Sequence, residues 1–289
     1  MLNLTLKLAA FVKASRPLTW LFSITSAICG MVMAFKGIPP IHLILLVSVG
    51  VGPCITAAIN LLNAIFDIEV DKLSKPDRPL PKGQISVFST LAVSSLLYLI
   101  GLIIAFSLGF WPFILALIGV LLSILYSVPP VRIKAVGGLS NFSLALGYTM
   151  VCFVGGWVIF RSPLEAPWFI IFLATLQVVG ANVVKDFVDY EADKEMKIET
   201  LPVKFGIKKS IALISPLFIG IYLVIPLFYL LGYLKSAFLP VSLFSIWGIY
   251  IIHSLVHDFS RKNREKIFIH AFFMSLFTEI AFSIAYLLA

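Results

Sequence analysis

Long apolar runs separated by short polar loops dominate this chain, and their length sets its class. A helix needs about 20 apolar residues to cross the hydrocarbon core of a bilayer. Nine runs fit that length, at approximately 17–36, 41–65, 86–108, 109–127, 138–160, 166–190, 211–231, 237–256 and 267–288. Between the third and fourth only Gly109 and Pro112 mark a turn. No connection is long enough to hold a separate soluble domain, so residues 1–289 read as a single polytopic domain. Only helices and closed barrels satisfy their backbone polar groups in lipid, and runs of this length predict an all-α bundle of nine transmembrane helices. Ahead of the first run, Leu4, Leu8, Phe11 and Val12 fall at helical spacing, which predicts a short helix over about 2–14 lying on the membrane surface. The first run is longer than a signal core and lacks a cleavage site, so the arm is not expected to be a cleaved leader.

Composition agrees with the pattern. With 60% hydrophobic and 12% charged residues and a mean hydropathy of +1.05, the chain is not a water-soluble globule. The net charge of +8 does not imply nucleic acid, because of where the charge lies. Of the 22 basic residues, all but Lys36, Arg161 and Lys235 fall on the amino-terminal arm or in loops on one side of the predicted bundle. Basic loops stay cytoplasmic. The amino terminus is therefore expected inside and the carboxyl terminus outside.

The acidic residues are distributed quite differently. Ten of the 14 lie in two stretches, Asp67, Glu69, Asp71 and Asp77 in one, and Asp186, Asp189, Glu191, Asp193, Glu195 and Glu199 in the other. Both stretches lie at the cytoplasmic ends of apolar runs, the second and the sixth, and are expected to meet in one cavity open to that side. Carboxylates beside hydrocarbon are costly and mark ion or substrate handling. On a continuous helix Asn63, Asp67 and Asp71 would span about 80° of one face, and Asn182, Asp186, Asp189 and Asp193 about 60°, with Glu69 and Glu191 pointing away. Such oxygen-rich rows suit Mg²⁺, a hard cation that keeps waters and bridges carboxylates to substrate phosphates. Basic residues accompany the rows: Lys75, Arg78 and Lys82 follow the first, Arg132 and Lys134 follow Tyr126 in the next cytoplasmic loop, and Lys185 precedes Asp186. Cations so placed can hold the oxygens of a diphosphate as its charge develops.

Asn63-x-x-x-Asp67-x-x-x-Asp71, followed by Lys75-Pro-Asp-Arg78-Pro-Leu-Pro-Lys82-Gly83, resembles the UbiA superfamily of intramembrane prenyltransferases. Arg16-Pro17, Tyr126-Ser-Val-Pro-Pro-Val-Arg132-Ile-Lys134, Lys185-Asp186-x-x-Asp189-x-x-x-Asp193 and Thr200-Leu-Pro-Val-Lys-Phe-Gly206 extend the likeness over nearly the whole chain. That family often begins its first row Asn-Asp, whereas here Asn63 is followed by Ala64.

The resemblance implies nine helices and transfer of an isoprenyl group from an allylic diphosphate, such as geranylgeranyl diphosphate, to an acceptor held in the membrane. It places one Mg²⁺ on Asn63, Asp67 and Asp71 and another on Asp186, Asp189 and Asp193, with Asn182 added on geometry. Diphosphate contacts are expected from Lys75, Arg78, Arg132, Lys134 and Lys185. Tyr126 is expected near the reacting carbon and Arg16 near the acceptor. The Thr200–Gly206 and Tyr126–Pro130 stretches look most like the lipid-forming and chlorophyll-forming branches. They point to geranylgeranylglyceryl phosphate as acceptor, with an aromatic quinone precursor of the 4-hydroxybenzoate or naphthoate type as the alternative. The expected partners are the diphosphate, a lipophilic or aromatic acceptor and the bilayer, with no nucleic acid and no obligate protein partner.

An ion-coupled transporter is the reading from another class, since intramembrane acids also mark ion pathways. Here the acids cluster at one face of the membrane and travel with phosphate-binding companions. A transferase acting on nucleotide-activated alcohols would need a Gly-rich, Ala-Arg-containing lead-in that is absent. Cys29, Cys54 and Cys152 stand singly in apolar runs, without metal or redox spacing. His253 and His257 share a helical face beside Asp258 at the end of a run, which suits the interface. Asn3-Leu4-Thr5 and Asn141-Phe142-Ser143 match a glycosylation pattern, but their predicted inside placement argues against its use. Glu279, alone in the last run, is expected to hydrogen-bond within the bundle.

Overall fold

The computed structural model describes residues 4–289. Among them there is no strand, and nine helices are long and apolar enough to cross a membrane. The order is α1 (Leu4–Ala14), α2 (Pro17–Phe35), α3 (Ile41–Phe66), α4 (Ile68–Ser74), α5 (Val87–Leu108), α6 (Phe110–Ser127), α7 (Gly137–Trp157), α8 (Trp168–Val188), α9 (Tyr190–Glu195), α10 (Leu201–Phe205), α11 (Ile207–Leu230), α12 (Ser236–His257) and α13 (Arg261–Leu288). The spanning nine are α2, α3, α5, α6, α7, α8, α11, α12 and α13.

The spans follow the predicted runs within a few residues, and the departures have local causes. α5 and α6 separate at Gly109, whose φ of 129° is open chiefly to glycine. α11 starts four residues earlier than its apolar run, directly after Gly206 (φ 81°). α13 starts at Arg261 rather than near 267, because Ser260 caps it by accepting from the Asn263 N–H at 3.3 Å. Its charged first turn is helical although it is not apolar. The helix predicted over 2–14 is seen as α1; residues 1–3, including Asn3 of the glycosylation pattern, lie outside the described residues.

The chain forms two compact units, Met1–Ile133 with Val151–Ala166, and Lys134–Met150 with Pro167–Ala289. In the first, α2 and the second half of α7 meet backbone to backbone. A methyl group on Gly30 would strike the Phe153 carbonyl, and one on Gly156 would strike that of Ala27. Small residues make this approach possible, as is usual between helices in lipid. Pro53 lies in a π-helical stretch of α3, Gly50–Thr56, where it removes one backbone donor. Thr56 bonds the Val51 carbonyl there at 2.8 Å and meets Ser23 of α2 at 2.6 Å. α1 docks through buried Ala10 and Ala14 on Leu61 and Ala64 of α3, with Leu80 and Ile85, and leaves Leu6, Leu8 and Val12 exposed.

In the second unit α8 is enclosed along most of its length, packed against α13, the first part of α7 and the π-helical stretch Pro216–Gly220 of α11. Gly180 admits Phe218, and Tyr222 bonds Thr278 at 2.6 Å. Glu279 is fully buried.

Candidate active site

Both acid rows are built on a helix that reaches its end and turns. α3 stops at Phe66 and α8 at Val188. The next residues, Asp67 (φ −101°, ψ 5°) and Asp189 (φ −89°, ψ 4°), sit in the bridge region, and the short helices α4 and α9 follow. The rows are therefore not continuous helical faces as expected. Each bends at its own aspartate, where the long apolar helix ends. The i to i−4 bonds survive the bend: Asp67 N to Asn63 O (3.0 Å), Asp71 N to Asp67 O (2.7 Å), Asp189 N to Lys185 O (3.2 Å) and Asp193 N to Asp189 O (2.9 Å). The spacing of the acids along each row is kept.

In the first unit every acid of the row meets a partner. Asp71, 5% exposed at its side chain, takes both oxygens to Nη1 of Arg78 at 2.6 Å each. Asp67 lies 3.7 Å from Nη2 of Arg132, which also donates to the Phe66 carbonyl at 3.4 Å. Ser127, next to Tyr126, donates to Oδ1 of Asn63 at 3.4 Å. Glu69 faces away and pairs with Lys72, as its position on the helix predicts. Beside Asp71 lies a cavity of about 150 Å³, lined by Lys13, Ala14, Arg16, Ala64, Asp71, Arg78 and the Pro79-Leu80-Pro81 turn. The structure thus brings Arg16 to Arg78 and Asp71, and adds Lys13, which sequence reasoning had counted only towards topology. Lys13 donates to the Asp77 carbonyl at 3.3 Å, and the Asp77 carboxylate pairs with Lys82 at 2.7 Å. The Lys82 hydrogen bond holds the Asp77 carboxyl below its ordinary range. Lys75 and Tyr126 are half-buried.

In the second unit Asp186 accepts from Nδ2 of Asn141 at 2.8 Å, and Asn182 donates to the Asn141 carbonyl at 3.1 Å. Asn141, 1% exposed, therefore joins two members of the row, although it stood out in the sequence only as a glycosylation pattern. Lys185 lies 3.7 Å from Asp189. Asp193 sits half-buried on α9, and Lys134 half-buried in the 3-10 turn Ile133–Ala135. Gly137 lets that loop close on Glu199, whose carbonyl would lie 2.6 Å from any added Cβ. Glu191 points away from the row and accepts from Arg264 at 2.6 Å, a hydrogen bond that draws its carboxyl below the ordinary glutamate range.

Among the described residues no three carboxylate, imidazole or thiol groups converge closely enough to hold a metal ion unaided. The donor chemistry nevertheless fits Mg²⁺, since each row offers carboxylate and amide oxygens and neither thiol nor imidazole. A cation bound there would take its remaining ligands from water and substrate.

Residues 23–277 match the UbiA prenyltransferase family. The chain belongs to that family. It is 34% identical over 256 residues to the digeranylgeranylglyceryl phosphate synthase of Sulfolobus acidocaldarius, a match covering 86% of this chain and 89% of the relative. The protein of the same name from Pyrococcus horikoshii is 32% identical over 233 residues, covering 81% and 78%. A solved structure concerned with digeranylgeranylglyceryl phosphate synthase in membranes shares the fold, with a TM-score of 0.74 and 27% identity over 98% of this chain and 99% of that one. UbiA membership makes the protein an integral-membrane prenyltransferase, and it removes the transporter reading.

Proposed function

We propose that this protein moves a geranylgeranyl group from its diphosphate onto geranylgeranylglyceryl phosphate, with one divalent cation, Mg²⁺ by donor chemistry, at each acid row. Support comes first from the cavity beside Asp71. Its lining carries three cations, Lys13, Arg16 and Arg78, against one carboxylate. That net charge balances a phosphomonoester, which carries about −1.5 to −2 at neutral pH, better than the single charge of an aromatic carboxylate. Pockets that enclose a whole drug-sized ligand run to about 300 Å³ or more. A cavity half that size suits a headgroup whose chains remain in lipid. The two synthases described above add weight, being 34% and 32% identical to this chain.

In this reading residues 1–289 act as one catalytic domain. Bound Mg²⁺ would neutralise the diphosphate and make it a competent leaving group. Asn63, Asp67 and Asp71 supply the first set of oxygen ligands, and Asn182, Asp186, Asp189 and Asp193 the second. Arg132 and Lys185 stand against these acids already, and turn to the phosphate oxygens as the diphosphate enters, joined by Lys75 and Lys134. Arg78, on the cavity wall beside Asp71, stands between the diphosphate and the acceptor phosphate and serves both. The bond from the allylic carbon to the diphosphate oxygen breaks with its electron pair on oxygen. The acceptor hydroxyl then bonds to that carbon and loses its proton. Tyr126 lines the approach to the reacting carbon, and Arg16 holds the acceptor. The acid rows and basic loops lie on the cytoplasmic side, with the amino terminus inside and the carboxyl terminus outside. α1 rests at the interface.

The test is turnover of labelled geranylgeranyl diphosphate by purified protein in Mg²⁺. Acceptors offered are geranylgeranylglyceryl phosphate, its dephosphorylated alcohol, 4-hydroxybenzoate and a dihydroxynaphthoate. Product is expected with the phosphate alone, and with neither Asp67→Ala nor Asp186→Ala. Product with an aromatic acceptor instead would replace this acceptor with a quinone precursor.

A further inference from the structure

Each acid row bends at an aspartate, and at each bend an arginine donates to a nearby carbonyl in its own unit. Arg132 serves Phe66 in the first unit, and Arg264 serves Phe187 in the second. The second contact is the more completely built. Arg264 sits in the first turn of α13 and is 2% exposed. Its Nη1 donates to the Phe187 carbonyl at 2.7 Å, in the last turn of α8. Its Nη2 donates to Oε1 of Glu191 at 2.6 Å, in the first turn of α9. Its guanidinium lies 4.7 Å from the centre of the Phe259 ring. That ring meets Phe187 and Tyr190 edge-on at 5.5 and 6.1 Å. One planar group therefore touches both sides of the bend at Asp189 and the ring that spans it.

Burying a guanidinium is expensive, and well-packed apolar residues replace buried ion pairs at little or no loss of stability. Here the cost is not fully offset, because Nε of Arg264 is buried without an acceptor. Filling space does not explain a charge at this position. A rigid fork of donors that fixes two helix ends at a set angle does.

We infer that Arg264 is a positioning residue for the second acid row, holding α8 and α9 at the angle that aims Asp189 and Asp193. The inference rests on the reading in which those acids serve the diphosphate. Asp186 lies a turn before the bend and is tied to Asn141, so it keeps its place when Arg264 is changed.

The experiment measures binding of a non-reactive geranylgeranyl diphosphate analogue to the full-length protein in nanodiscs across a Mg²⁺ titration. Hydrogen exchange of the amides from 189 to 196 is followed alongside. Arg264→Lys keeps the charge but replaces the rigid two-pronged fork with a single, freely rotating ammonium that cannot hold the two partners at a set angle. Residues that orient metal ligands are worth about tenfold or more in affinity. Arg264→Lys is therefore expected to weaken analogue binding about tenfold, raise the Mg²⁺ needed and speed exchange across the bend. Glu191→Gln, at an exposed side chain whose amide oxygen can still accept from Arg264, is expected to lower the melting temperature modestly and to move both readouts the same way by a smaller factor. It decides the matter should Arg264→Lys fail to fold. Arg261→Gln, on the same turn but paired outward to Glu265 at 3.0 Å, serves as the charge control. Unchanged binding and exchange in a folded Arg264→Lys, or in Glu191→Gln where that variant decides, would overturn the positioning role. Absence of metal-dependent binding in the unsubstituted protein would overturn the assignment of the acid rows, and the positioning role with it.

Discussion

Asn141→Ala should damage the enzyme as much as a change at many metal-binding positions, although Asn141 is not itself proposed to bind metal. Its amide is buried to 1% exposure and donates to Asp186 at 2.8 Å, while its carbonyl receives Asn182 at 3.1 Å. A hydrogen bond to a charged group contributes about 1.5–3 kcal/mol. At about 1.4 kcal/mol per factor of ten, losing it corresponds to about a tenfold to a hundredfold effect. The same range describes residues that orient metal ligands. kcat/KM for geranylgeranyl diphosphate should therefore fall by about 10- to 100-fold in Asn141→Ala, with a raised requirement for Mg²⁺. The Asn182 bond uses the Asn141 backbone, so it should persist in this variant. Asn141→Asp has the same shape but places an acceptor against an acceptor, and should be more severe. The assay is steady-state transfer at several Mg²⁺ concentrations, with circular dichroism to show that the helices remain. A folded Asn141→Ala whose kcat/KM lies within about threefold of wild type would refute the reasoning, since no interaction of 1.5 kcal/mol could then have been lost.

Arg78→Gln leaves the buried Asp71 carboxylate without its ion-pair partner. It should lower stability by about 3 kcal/mol in a denaturation assay, whereas Asp71→Asn with Arg78→Gln should be milder because no charge is stranded. Chelation by EDTA should abolish transfer, and added Mg²⁺ should restore it; transfer unaffected by the chelator would count against the assignment of both rows. Glu191 is held below its ordinary range by Arg264, so its contribution to stability is present at neutral pH and lost as pH falls through that depressed value. The melting-temperature gap between wild type and Glu191→Gln should accordingly narrow from about pH 7 to about pH 3. Gly30→Val should destabilise the first unit through its clash with the Phe153 carbonyl, read as reduced yield and melting temperature.

The spanning helices were legible because an apolar run of fixed minimum length has few other uses, and Gly109 punctuates it where expected, whereas the earlier start of α11 after Gly206 was not read. The two acid rows were legible because carboxylates next to hydrocarbon are rare. The bends at Asp67 and Asp189 were not, since helical spacing reads the same through a residue at ψ near 0° as through a straight helix. Asn141 was hidden for a different reason. Its role depends on the first half of α7 lying against α8, a contact between residues 45 positions apart in sequence. Arg264 looked like one more basic residue near a helix end. The charge that sets topology and the charge that is buried carry the same letter, and only the packing of α13 on α8 tells them apart.

α1 rests on α3 through Ala10 and Ala14 and leaves Leu6, Leu8 and Val12 uncovered, beside a cavity lined by Lys13 and Arg16. If that cavity takes the acceptor's headgroup as proposed, its place next to an apolar surface ridge would draw the substrate sideways out of the leaflet and not from solution. The concentration that governs occupancy is then the mole fraction of acceptor among the surrounding lipids. Diluting the assay with buffer should leave the rate per protein unchanged, whereas diluting the acceptor with inert lipid or detergent should lower it. On the proposed reading, an apparent KM for the acceptor has meaning only as a surface density.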